Sequence, residues 1–183
     1  MSDNLDTVFS EANAVSVSAK SARLPKLNNE VAGVGTIVKL TATKTRNGGA
    51  VVEFVIRVDE CRAKAKEDFF KAPVVPNPKG QHIQVPFFLK QGKPDADAAA
   101  ARGLKETVLA AMGKTQAEVT PEKYAEIFAA ARGDKQIFKG VQLAFETSFY
   151  KTKKGFDMYA TKLSTVQGQT QEQVQARRKE LEK

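Results

Sequence analysis

At 183 residues, with 42% hydrophobic and 27% charged side chains, the chain is long enough for one domain with a proper core and too apolar to be wholly disordered. With 29 Lys and Arg against 21 Asp and Glu, its net charge of +8 asks for a polyanionic partner, and nucleic acid ranks ahead of an anionic membrane because no strongly amphipathic basic helix is present. A single cysteine, Cys61, excludes an intramolecular disulfide and a cysteine-based zinc site, and it fits a reducing cytoplasm.

The first ten residues carry Asp3 and Asp6 and lack the basic start and apolar stretch of a secretory signal. No apolar run approaches the roughly 20 residues a membrane helix needs, so no membrane partner is expected. Residues 1–30 are rich in Ser, Asn, Ala and Lys without a sustained period and read as a flexible arm. Lys20, Arg23 and Lys26, around Pro25, close it as either an extended basic segment or a solvated linker.

Order is expected from Val31. Between Gly33 and Thr43 an alternation of period two sets Val34, Val38, Leu40 and Ala42 on one side and Lys39, Thr41 and Thr43 on the other. Asn47-Gly48-Gly49 then supplies the positive φ angles of a tight hairpin turn, and Ala50 to Asp59 returns as a β-branched strand. From Cys61 to Lys79 a long exposed connection is expected, with Arg62 to Lys66 and Phe69-Phe70 open to a short helix before Pro73, Pro76 and Pro78 interrupt regular structure. A third strand follows from Gln81 to Lys90, with Ile83, Val85, Phe87 and Leu89 on one face and His82, Gln84 and Phe88 on the other. Pro86 confines it to an edge or a bulge.

The texture turns helical from Asp95, a candidate N-cap, to Met112, with Leu104, Val108, Leu109 and Met112 on the buried face and Gly113 as the stop. Thr120 caps a second helix opened by Pro121, which packs through Tyr124, Ile127 and Phe128 and ends at Gly133. A last hairpin runs from Gln136 to Tyr150, turns through Lys151-Thr152-Lys153-Lys154-Gly155, and returns from Phe156 to Leu163. Along its first strand Val141, Leu143, Phe145 and Thr147 alternate with Gln142, Ala144, Glu146 and Ser148. The expected organisation is a mainly β fold: a five-stranded antiparallel OB-type β-barrel over residues 31–166, a two-helix insertion at about 95–133 between strands three and four, and a polar, helix-compatible tail at 167–183. An α+β sheet with its helices on one face is the competing architecture.

No enzyme is expected. His82 is the only histidine, no nucleophile triad can be assembled without it, no phosphate loop ending in Lys-Ser or Lys-Thr occurs, and no carboxylate spacing suggests a metal, so no cofactor is called for. The two hairpin tips are more telling, because Lys44 and Arg46 at one and Lys151, Lys153 and Lys154 at the other are placed where an OB barrel grips its ligand. Basic turns also serve solubility and edge protection, but here aromatic residues accompany them. Phe149, Tyr150 and Phe156 bracket the second turn, and Phe88 and Tyr159 are further rings on which bases could stack. The candidate phosphate contacts are therefore Lys39, Lys44, Arg46, Arg57, Lys151, Lys153 and Lys154; the candidate stacking rings are Phe88, Tyr150, Phe156 and Tyr159; His82 and Lys90 are secondary.

The passage from Lys39 to Phe54, the segment Arg102 to Gly113 and the turn Lys153-Lys154-Gly155 together resemble, in pattern and order, phage-encoded OB-fold single-stranded DNA-binding proteins over roughly residues 31–165. The resemblance implies sequence-tolerant holding of single-stranded DNA in phage replication or recombination, in the host cytoplasm, beside phage or host replication and recombination proteins, and it leaves self-association on DNA open. Many such proteins end in an acidic tip that recruits partners, whereas this chain ends Arg177-Arg178-Lys179-Glu180-Leu181-Glu182-Lys183. The alternative is an OB-like protein-interaction or structural module of a phage replication or virion assembly, which would bind polynucleotides weakly and without strand preference.

Overall fold

The computed structural model describes residues 24–28, 30–46, 48–64, 74–90, 92–151, 155 and 157–181. Five strands, β1 (Val31–Lys44), β2 (Ala50–Ala63), β3 (His82–Leu89), β4 (Gln142–Lys151) and β5 (Asp157–Ser164), form one antiparallel sheet in the order β3-β2-β1-β4-β5. Helices α1 (Pro94–Met112) and α2 (Pro121–Arg132), with a short 3-10 turn at Gln116–Glu118 between them, stand between β3 and β4, and α3 (Gln171–Leu181) follows β5. The fold is mainly β, with the two-helix insertion where the sequence indicates it. None of the described helices is long and apolar enough to cross a membrane.

β1 departs from simple alternation. Two irregularities, at Val34/Gly35 and Ile37/Lys39, shift its register against β2. Gly35, Ile37, Leu40 and Ala42 are consequently the inward residues, while Val34 and Val38, which uninterrupted alternation assigns to the core, are only half-buried. The bent strand serves two partners: β2 along its length, and β4 only from Ala32 to Thr36. Past that point its free edge is taken up by the loop before β4. Ile37 N–H donates to Val141 O at 2.8 Å, and Gly140 N–H donates to Ile37 O at 2.8 Å. The Gln136 side chain then acts as a substitute strand, its Oε1 accepting from Leu40 N–H at 2.7 Å and its Nε2 donating to Leu40 O at 3.0 Å.

The core lies between the inner face of the sheet and the helices. Phe54, Ile56, Ile83, Leu89, Leu143 and Phe145 meet Leu104, Val108 and Phe128 there, each less than 3% exposed. Phe54 and Phe87 stack edge to face at 5.9 Å, and Gly103 lets α1 approach the Phe87 ring, which a Cβ there would meet at 3.2 Å. α1 contacts both outer strands, β3 and β5.

Among the described residues no ladder joins β3 to β5, so the sheet is not closed by hydrogen bonds. The reason is visible at β3. Pro86 has no donor, and the outward N–H of Gln84 is taken by Pro25 O at 2.9 Å. The segment before β1 thus covers this edge. Leu27 enters the core beneath it, and Asn77 fastens it by accepting from Asn28 N–H at 2.8 Å and donating to Lys26 O at 3.3 Å. Residues 24–28 are therefore built into the domain, although the sequence reading assigned them to the arm.

Local corrections are small. β2 runs to Ala63, so Arg62 and Ala63 are strand where a short helix stood open; residues 65–73 lie outside the described ones. Lys64 anchors this extension across β1 to β4, donating to Glu146, to Thr147 O at 3.2 Å and to Ser148 Oγ at 3.2 Å. The N-cap of α1 is Lys93 rather than Asp95, because Pro94, with its preset φ, opens the helix and leaves Asp95 in the first turn. Thr120 caps α2 by accepting from Lys123 N–H, and Gly113 ends α1 at φ +62°. The tail is helical, with Val174 buried and Gln175 Nε2 donating to Gly113 O at 2.9 Å.

Candidate nucleic-acid interface

Every strand that buries one face presents the other, and the outer face of β1, β2 and β3 carries Lys39, Arg57, Phe88 and His82. Its rows follow from the register. Thr43, Val51 and Phe88 lie side by side nearest the first hairpin; Thr41, Glu53 and Pro86 come next, then Lys39, Val55 and Gln84, and finally Thr36, Arg57 and His82. At about 3.3 Å per residue, the six steps from Val51 to Arg57 make this face roughly 20 Å long.

The hairpin end is cationic and aromatic at once. Phe88 is 49% exposed although it belongs to a strand whose other large apolar residues are buried. The adjoining row, Lys44, Ala50 and Leu89, brings Lys44 and Lys90 to the same end, with Arg46 at the exposed turn between β1 and β2. The turn is set by Gly48 at φ +78° and by a Thr45 N–H bond to Gly49 O of 2.9 Å. Lys39, exposed three rows from this end, continues the positive track.

The far end is different. Arg57 is already engaged, its Nε and Nη2 donating to Asp59 Oδ1 at 3.2 Å, while Asp59 Oδ2 accepts from Thr36 at 2.6 Å and Gln142 at 3.2 Å. Glu146 is matched with Lys64, whose donated hydrogen bond holds the carboxyl below its usual range. Glu53 adds a carboxylate to the middle of the face. Alternation in the sequence marks Arg57 as outward and sets Asp59, two positions on along β2 and at its irregularity against β1, on the same side.

The second hairpin lies elsewhere. Because β4 runs antiparallel to β1 and meets it at Ala32–Thr36, its tip projects beyond the beginning of β1, whereas Lys44 stands at that strand's end. Tyr150, 45% exposed, shares the outer face with Glu146 and Ser148, and exposed Lys151 pairs across the ladder with Asp157. Lys44 and Lys151 thus mark opposite ends of β1. Lys153, Lys154 and Phe156 lie outside the described residues; for Tyr159 the described feature is its backbone pairing with Phe149.

No protein-family model and no curated protein matches the chain.

Other chemistry is sparse. Among the described residues no three His, Cys, Asp or Glu side chains cluster as metal ligands. The Cys61 thiol is pushed above its ordinary value by burial, against a smaller opposing effect of the Asn77 N–H that it accepts at 3.3 Å, so at neutral pH it stays a protonated thiol.

Proposed function

We propose that this chain is a non-catalytic single-stranded DNA-binding protein built on an OB-type barrel, binding strands on the outer face of β1, β2 and β3 in phage replication or recombination. The observation that carries the reading is Phe88, a large ring exposed on an otherwise well-sorted strand, beside the cationic end formed by Lys44, Arg46 and Lys90. Solubility accounts for the charges but not for the ring. A single strand needs both, a positive track for its phosphates and flat apolar surface for its bases.

The OB assignment draws on five antiparallel strands and a helical insertion between the third and fourth, features compatible with a partly open barrel. The gap between β3 and β5 is faced by α1, which touches both. The rival α+β description, with helices on one face, differs only in leaving those edges apart.

Lys39, Lys44 and Arg46 are the phosphate contacts on this reading, and Phe88 is the first stacking platform, with Tyr150 a second one at the far end. Arg57 contributes less, being held by Asp59. Replacing Phe88 by alanine is expected to weaken binding of oligo-dT by about 1 to 3 kcal/mol with an unchanged salt slope, since a ring neutralises no phosphate. Anisotropy titrations at several salt concentrations measure both quantities. Unchanged affinity in the alanine variant would remove Phe88 from the site and with it the main support for this face.

A further inference from the structure

The helical side of the molecule holds a second cationic feature, which shares no residue with the sheet face. A groove of about 1320 Å³ opens between the end of α1, one side of α2, the loop before β4 and α3. Five lysines surround it, Lys114, Lys123, Lys135, Lys139 and Lys179, four of them exposed. Among the described residues Glu126 is the one carboxylate on its lining, paired with Lys123 at 2.8 Å. Between the lysines the floor is aliphatic, formed by Met112, Ile127, Ala130 and Ile137.

We propose that this groove docks an acidic peptide segment of a partner protein that carries apolar side chains between its carboxylates. Charge complementarity gives the sign of the partner, and the lining gives its class. A single strand would look for rings on which to stack its bases, and among the described residues the lining contains no aromatic side chain. Lysines are compact charges that meet carboxylates without demanding a planar fit, and an aliphatic floor accepts Leu, Ile or Phe anchors. The volume exceeds the roughly 300 to 1000 Å³ of small-molecule pockets and suits a short chain segment.

Two features keep the groove formed. Gln136, on its lining, is held by both backbone groups of Leu40, and Gln175 of α3 is tied to the end of α1 through Gly113 O. The walls are thus fixed to the core, so a ligand finds the site largely preformed.

The test uses the full chain and a fluorescein-labelled peptide of six aspartates with two phenylalanines in its middle, beside an all-aspartate peptide of equal length and labelled oligo-dT. Saturable binding of the Phe-bearing peptide is expected, weakened about tenfold or more by Lys135→Glu with Lys139→Glu, with oligo-dT binding on the sheet face changed less than twofold. Reversal removes two exposed charge contacts and adds repulsion to their loss. Circular dichroism of the variant confirms that it is folded. No saturable peptide binding, equal binding of the all-aspartate peptide, or insensitivity to the two reversals overturns the proposal. A parallel loss of oligo-dT affinity also overturns it, by making the groove part of a nucleic-acid path. Failure of oligo-dT to bind the unmodified protein bears on the sheet face alone.

Discussion

Replacing Lys44 and Arg46 together by alanine is expected to lower oligo-dT affinity and to flatten the dependence of log K on log salt by about 1.4, at roughly 0.7 per phosphate contact on a single strand. Both side chains are exposed at the hairpin end where Phe88 emerges. Among the described residues neither is paired with a carboxylate, in contrast to Arg57, which donates twice to Asp59. Adding Lys39→Ala should flatten the slope by a further 0.7 or so. Arg57→Ala should have a smaller effect on the slope, since the guanidinium is already paired with Asp59, and it leaves Asp59 to Thr36 and Gln142. The measurement is anisotropy between low and moderate salt. An unchanged slope in the double variant would take the first hairpin out of the interface.

The largest expected loss of stability is at Gly33, in β1 where β2 and β4 flank it on either side. A Cβ there would fall 1.9 Å from Glu60 O, 2.9 Å from Cys61 Cα and 2.7 Å from the Phe145 ring. Two of these neighbours are backbone of a paired strand and cannot turn away, and the ring is fully buried. Gly33→Ala therefore forces β1 and β2 apart beside the irregularity at Val34/Gly35, at a cost of about 3 kcal/mol or more. For a domain of this size that lowers the melting temperature by roughly 6 to 12 °C. Thermal unfolding followed by circular dichroism reads it directly. A loss under about 1 kcal/mol would mean that the strands do not pass so closely.

Much of this architecture is legible in the residues, for local reasons. The first hairpin is encoded by β-branched alternation and a turn rich in glycine, β3 by Ile83, Val85, Phe87 and Leu89, and the helix ends by Thr120 and Gly113. In each case the deciding interaction lies within a few positions. What escapes the sequence depends on distant partners. Val38 is an extra residue in β1 against β2, so the inward period changes parity there and Val34 and Val38 lose the burial that uninterrupted alternation suggests. Gln136 reads as the start of a strand and instead lends its amide to Leu40, 96 positions away. The Pro25 carbonyl that takes up the edge of β3 has no local signature at all, since polar residues around a proline look like a linker. At the site, outward placement of Lys39, Arg57 and Phe88 is readable from alternation, but the separation of Lys44 and Lys151 along β1 is not. The lysine groove is invisible for the same reason, its five charges being spread over 66 positions from Lys114 to Lys179.

The central claim, a face made for single strands, is tested most directly by titrating the protein against labelled oligo-dT, a duplex of matched length and a matched RNA across a salt series. The account predicts salt-dependent binding with the single DNA strand clearly preferred over duplex, because only exposed bases can stack on Phe88. Equal and weak binding to all three would contradict it, reducing the hairpin cations to generic surface charge.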